Sequence, residues 1–236
     1  MPNWTQNVVV MKAEAMDAAL NESGNFDFEK IRPVPKGLWA EEGSRTAAAT
    51  AAAAARRRGD LAELERVAEE ARLPWSARPT RVESGFGEIG VPECRTADDL
   101  ADYGETFLRN EELYGARTWY KWCCDNWGTK WNACRTSVED IGRYKAASFE
   151  TAWSQPSLDM MEELACKCGS PVWMEWVHED YDGIRCALFL PDGEARVFDV
   201  SMAMAFHAAE HEEDGDAWVE VDCFAPGESD IAERIG

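Results

Sequence analysis

The chain is poor in positive charge: 24 Lys and Arg stand against 45 Asp and Glu over 236 residues, a formal net charge of -21 and a pI near 4.5. Binding to a nucleic-acid backbone or an anionic membrane draws on Lys and Arg to release counterions. Direct nucleic-acid binding and membrane attachment are therefore disfavoured, and a partner with a basic surface is expected. No window approaches the roughly 18 apolar residues of a membrane span. The start, Met1-Pro2-Asn3-Trp4, has no basic stretch leading into an apolar run and a small-residue cleavage site, so a cytoplasmic, host-cell setting is the expectation. Eight cysteines are present, yet neither Cys123-Cys124 nor Cys166-Lys167-Cys168 supplies the paired C-x-x-C spacing of a zinc ribbon, and reduced thiols are expected. The phosphate-binding patterns G-x-x-x-x-G-K-[ST] and G-x-G-x-x-G are missing too. No cofactor is expected.

What the chain has in quantity is tryptophan, eleven in all, five of them (Trp119, Trp122, Trp127, Trp131 and Trp153) between Trp119 and Pro156. An indole combines a large apolar body with one N–H that needs a partner when buried, so this stretch is a core or a binding surface. Around it the periodicities are readable. Val8-Val9-Val10 predicts a strand over Asn3–Met11, followed by a helix over Ala13–Leu20 and an extended segment through Phe26, Phe28 and Ile31 to Pro33. The alanine run Thr46–Arg58 and the stripe Leu61, Leu64, Val67, Ala68, Ala71 predict a helical hairpin punctuated by Gly59-Asp60, and Pro74–Pro92 reads as a linker. Arg56-Arg57-Arg58 reads as a basic cap on the first of those helices.

Further on, Thr96 is the predicted N-cap of a helix carrying Leu100, Tyr103, Phe107 and Leu108, and another helix covers Thr118–Asn126 and stops at Gly128. Asn132–Val138 and Tyr144–Trp153 predict an antiparallel hairpin, Leu158 to Gly169 a helix, and Pro171–Val177, Ile184–Leu190 and Ala195–Val200 a meander. A helix over Met202–Glu212 and a last short strand through Trp218, Val219, Val221 and Phe224 complete the reading. The domain organisation expected is a core begun by residues 1–39, a helical insertion and linker over 40–94, the rest of the core over 95–200, and an acidic helix and tail over 201–236.

Three segments resemble the YubB ferredoxin-like domain family, the Api92-like proteins of phages and conjugative plasmids. They are the opening Met1-Pro2-Asn3-Trp4 with Asn7, the stretch Asn126-Trp127-Gly128-Thr129-Lys130-Trp131-Asn132-Ala133, and Phe149-Glu150-Thr151-Ala152-Trp153-Ser154-Gln155-Pro156. Thr5 and Gln155 depart from the family's usual cysteine and proline, and residues 40 to about 94 have no counterpart in it. The resemblance implies an α+β fold, a ferredoxin-like antiparallel sheet with helices packed on one face, carrying the helical insertion, and an origin in a mobile element. It implies no activity, because one fold hosts many functions.

The motif residues Asn3, Trp4, Trp127, Thr129, Trp131, Asn132, Phe149, Thr151 and Trp153 form either a ligand pocket with aromatic walls or a framework pinning helix to hairpin. They include no nucleophile with a base beside it. His207 and His211, four apart on a predicted helix, are the candidate metal ligands, although the order H-A-A-E-H lacks the H-E-x-x-H pattern. His178 with Glu179, Asp180 and Asp182 reads as turn chemistry, and Cys123 and Cys124 beside Lys121 as buried thiols. Glu210, Glu212, Glu213, Asp214, Asp216, Glu220 and Asp222 make an acidic patch. Two functions follow. One is a non-catalytic accessory protein that binds and inhibits a host protein, a defence or nucleic-acid-handling factor, by imitating DNA. The other is a small-ligand or nucleotide-binding module with a Trp-lined pocket and weak enzymatic activity.

Overall fold

The computed structural model of the chain describes residues 3–40, 42–81, 88–180 and 183–200. In chain order the elements are β1 (Trp4–Lys12), α1 (Ala13–Met16), α2 (Phe28–Ile31), α3 (Ser44–Arg57), α4 (Leu61–Glu70), β2 (Arg78–Arg81), β3 (Glu88–Val91), α5 (Ala97–Tyr114), α6 (Trp119–Asn126), β4 (Cys134–Ile141), β5 (Tyr144–Ala152), α7 (Leu158–Cys168), β6 (Val172–His178), β7 (Ile184–Phe189) and β8 (Ala195–Val200). Two compact units result, one from the chain up to Pro33 and from Asn126 onward, the other from Val34–Asp125. The predicted helix over 202–212 and the strand beyond Trp218 lie outside the described residues.

The first unit is α+β, built on an antiparallel sheet in the order β4-β5-β1-β6-β7-β8. Its first four strands follow the ferredoxin-like plan. The hairpin β4-β5 lies against one edge of β1, and after α7 the chain returns as β6 on the other edge. Strand β1 is central because its run of three valines can be buried on both faces: Val8, Val9 and Val10 are all buried. Register assigns the faces. Thr5, Asn7, Val9 and Met11 share one with Thr151, Phe149 and Ala147 of β5 and with Trp176, Met174 and Val172 of β6. Val8 and Val10 pack on the other with Tyr144, Ala146, Trp173 and Cys186.

Against the Phe149 face lies an aromatic cluster. Phe26 stacks on Phe149 at 4.9 Å and 7°, while Phe28 meets Phe149 edge-on at 5.7 Å and Trp127 at 5.6 Å. Phe28–Ile31 is a single helical turn where the sequence predicts an extended segment. Asp27 explains the difference: its carboxylate accepts from the Glu29 N–H at 2.9 Å, an N-cap that starts a turn and brings Phe28 and Ile31 to one buried side. The predicted helix over 13–20 is α1 followed by a 3-10 turn at Asp17–Ala19.

Arg32 fastens this turn. Its guanidinium donates to Glu163 at 2.7 Å and to Asp159 at 2.9 Å on α7, and to the Asn126 carbonyl at 2.8 Å. Burial alone would raise the carboxyls of Asp159 and Glu163. For Asp159 the hydrogen bonds from Arg32 and Ser157, and for Glu163 those from Lys167 and Arg32, together with the cationic charge, outweigh it and hold both below the usual carboxylate range.

In the second unit, alanine lets helices approach closely. Ala49, Ala52 and Ala53 of α3 are fully buried, and Gly104 of α5 sits where a Cβ would fall 1.8 Å from the Ala49 carbonyl oxygen. Leu64, Val67, Trp75, Leu100 and Phe107 extend that core. Helix α5 opens with a capping box between Thr96 and Asp99. Arg56 pairs with Asp102 at 2.6 Å, and Arg57 with Glu105 and Glu112 at 2.7 and 2.6 Å, so the α3 cap is also a tie to α5. The unit therefore reaches past the predicted 40–94 segment to include α5. Within the predicted linker, β2 and β3 pair as an antiparallel hairpin.

Two measurements test these packings. Gly104→Ala gains about 1 kcal/mol of helix propensity but overpacks the α3–α5 contact, and a net loss of about 1–3 kcal/mol is expected in urea unfolding. Because Asp159 and Glu163 titrate lower folded than unfolded, their stabilisation is present above the unfolded carboxylate range near pH 4 and is lost as pH falls through the folded values. Arg32→Met should flatten the fall in melting temperature between about pH 5 and pH 3.

Candidate functional site

The predicted motif residues separate into a buried frame and an open face. Trp127 is fully buried, and its indole N–H donates to the Arg32 carbonyl at 2.8 Å. Gly128 follows at φ +76°, with a hypothetical Cβ 2.8 Å from the Ser157 nitrogen, so both its backbone and its space require glycine. Thr129 donates to the Ala152 carbonyl at 2.8 Å. Asn132 accepts from the Phe28 and Ala133 N–H groups at 2.9 and 2.8 Å and donates to Asp27 at 2.6 Å. Thr151 donates to the Ser154 carbonyl at 2.6 Å and accepts from Asn7 at 2.9 Å. With Phe149 stacked on Phe26, these side chains have their polar groups taken up by the fold. Trp119 and Trp122 are buried on α6.

Asn3, Trp4, Trp131 and Trp153 gather at one end of the sheet. Trp4 starts β1, Trp131 precedes β4, and Trp153 follows β5, its N–H donating to the Asn3 carbonyl at 2.8 Å. The Trp4 and Trp131 rings are 5.9 Å apart at 36°. Two cations lie on the indole faces: Lys130 Nζ is 4.6 Å from the Trp131 ring and 5.8 Å from that of Trp153, and Arg135 Cζ is 4.9 Å from Trp4. Trp153 is 48% exposed, so one large apolar ring stands open to solvent at this end of the sheet.

The backbone is strained here. Trp153 has φ +75° and Arg135 φ +50°, the latter at an irregularity in the β4–β5 pairing between Cys134 and Ser137. A non-glycine residue in the left-handed region costs about 1–2 kcal/mol and persists where its surroundings over-determine it.

Beside Trp4 opens a recess of about 200 Å³ lined by Gln6, Glu150, Val177, His178 and Glu179. Strand register assembles it, since Gln6 pairs with Glu150 on one side and Val177 on the other, and Thr5 pairs with His178. Glu150 is ion-paired with Arg135, Glu179 accepts from the backbone N–H of Trp4 at 3.0 Å, and the His178 ring hydrogen-bonds the Thr5 hydroxyl at 3.0 Å. Arg135 already occupies Glu150 and a face of Trp4, so the recess shows the arrangement that holds one guanidinium, and Glu179 is the further carboxylate that a second cation beside the indole would meet.

Sequence reasoning named the three indoles but missed Gln6, Lys130, Arg135, Glu150 and Glu179 as their companions; the turn read after His178 is present at Glu179 and Asp180, where β6 ends. Lys130 and Glu150 lie inside the quoted motifs, which was the available signal. Lys121, read as a neighbour of the two cysteine thiols, pairs with Asp125. His207, His211 and the acidic patch from Glu210 to Asp222 lie outside the described residues. Among the described residues no three His, Cys, Asp or Glu side chains come together as a metal site, and no helix is long and apolar enough to cross a membrane.

No protein-family model and no curated protein matches the chain. In structure it is similar to the crystal structure of protein api92 from Yersinia pseudotuberculosis, with a TM-score of 0.42 and 11% identity, over 85% of this chain and 99% of that one.

The two sets of residues should respond differently to mutation. Asn132→Ala removes the acceptor of the Phe28 N–H and the donor to Asp27, and a loss of about 1–3 kcal/mol is expected. Trp153→Gly relieves about 1–2 kcal/mol of backbone strain while giving up the Lys130 contact. Its urea midpoint should stay close to that of the parent protein.

Proposed function

We propose that this protein acts by binding rather than catalysis, taking a Lys or Arg side chain of a basic partner protein into the recess formed by Trp4, Glu150 and Glu179. The observation that supports this reading is the pairing of an indole wall with two carboxylates beside indole faces that already carry Lys130 and Arg135. The net charge of -21 supplies the long-range attraction, and the last stretch, from Glu210 to Gly236, adds ten acids against one arginine. Following the resemblance of the motif segments to a mobile-element family, the partner is a host defence or nucleic-acid-handling factor in the cytoplasm. Its phosphate-binding surface is what the acidic protein covers in place of DNA.

A second reading is favoured by the exposed Trp153 ring: a flat small molecule, such as a nucleotide base, stacking on it. The two differ in what they bind. Under the first, a fluorescent Arg- and Lys-rich peptide binds with an affinity that falls steeply with salt, Trp4→Ala and Glu179→Gln each weaken it by about 3- to 30-fold, and Trp153→Gly changes it little. Salt-indifferent binding, or unchanged affinity in both recess variants, would refute the first reading. Mononucleotide quenching of tryptophan emission that is lost in Trp153→Gly would establish the second.

A further inference from the structure

The helical unit contains a second cavity, a half-open groove of about 450 Å³ between α3 and α4, closed at one end by Trp75. Ala47, Ala48 and Ala51 on one side and Val67 and Ala71 on the other supply its apolar lining, and Ser44, Glu63 and Glu70 add polar groups. Two arginines reach the groove, and they differ in their partners. Arg66 is committed to Glu63 through two hydrogen bonds of 2.7 Å and to Glu70. Arg45 lies with its guanidinium carbon 4.8 Å from the Trp75 ring, and its Nη1 is buried with no hydrogen-bond partner among the described residues. Trp75 is itself fixed by its indole N–H to the Ala71 carbonyl at 2.9 Å.

The groove's two glutamates, Glu63 and Glu70, are both taken up by Arg66, whereas among the described residues Arg45 has no carboxylate partner, unlike Arg32, Arg56, Arg57, Arg95 and Arg117. A buried guanidinium donor left unmatched costs about 1–3 kcal/mol or more, and an acceptor brought by a ligand would recover it. Gly43 at the N-cap of α3 provides no side-chain oxygen, and the first turn has no acid, so the positive end of the helix beside Arg45 reinforces the same preference.

We infer that this groove binds a small carboxylate with an aliphatic tail. The carboxylate meets Arg45 against the Trp75 face, and the tail lies along the alanine and valine walls. The site is independent of the recess at the sheet end.

Calorimetric titration of the full chain with octanoate and with its neutral analogue octanol tests the assignment. Octanoate should saturate at millimolar concentration and bind at least about tenfold more tightly than octanol. Arg45→Met should abolish that preference, Ala51→Phe, which fills the groove from an exposed position, should abolish binding of both, and Arg58→Met should change nothing. Absence of octanoate binding means the groove holds water only and overturns the inference, as does equal binding of octanoate and octanol. Should Arg45→Met fail to fold by circular dichroism, Ala51→Phe decides: octanoate binding that survives it refutes the site.

Discussion

The first unit depends on one short chain of hydrogen bonds centred on Arg32. Its carbonyl takes the buried Trp127 N–H, and its guanidinium holds the Asn126 carbonyl and two carboxylates of α7. Three separated segments, the turn after β1, the entry to β4 and the helix between β5 and β6, are thereby locked over the Phe149 face. An indole N–H in a dry site needs an acceptor, and a guanidinium in a partly buried one needs several. The Arg32 carbonyl meets the first requirement, and Asn126, Asp159 and Glu163 meet the second. Asn132 repeats the device one turn away by satisfying Phe28 and Asp27 together.

Beside that frame Trp4 and Trp131 are half-buried and Trp153 is exposed. Gly128 reverses the chain, so Trp127 goes into the core while Trp131, four residues later, goes to the sheet end with Trp4 and Trp153. At Trp153 the left-handed backbone is held by its own backbone N–H on the Asn3 carbonyl and by Thr129 on the Ala152 carbonyl. Strain at both positions, cations over the indoles and a recess with two carboxylates all occur within one small area. This is the reason the functional proposal rests there and not on the buried members of the motif.

Much of the scaffold was legible in the sequence, because β-branched runs and alternation announce strands whatever their partners. The valines of β1, the hairpin β4-β5 and the meander β6-β7-β8 were read directly, and the α+β, ferredoxin-like plan holds. The one-turn helix at Phe28 was not, since four residues give no period and only the Asp27 cap betrays it. The hairpin β2-β3 was hidden by Pro79 facing Gly90, both poor strand formers. The apolar face of α5 through Leu100 and Phe107 was legible, but its partner was not: the packing on α3, with Gly104 against Ala49 and Arg56 and Arg57 paired across to α5, joins residues some fifty apart in sequence. The tryptophan stretch was legible as important but not as two things. Its division follows from a glycine turn and from register, and the recess joins residues 6, 150 and 179, which only pairing in the sheet brings together.

The central claim is that the indoles divide into a fixed frame and a cation-binding face. It is tested most directly by following the indole N–H resonances of 15N-labelled protein during titration with a Lys- and Arg-rich peptide at low salt. The account predicts that the Trp4 and Trp131 signals move in step with binding while the Trp127 signal, bonded to the Arg32 carbonyl, stays in place. Binding that leaves Trp4 and Trp131 unmoved, or that shifts Trp127 with them, would contradict it.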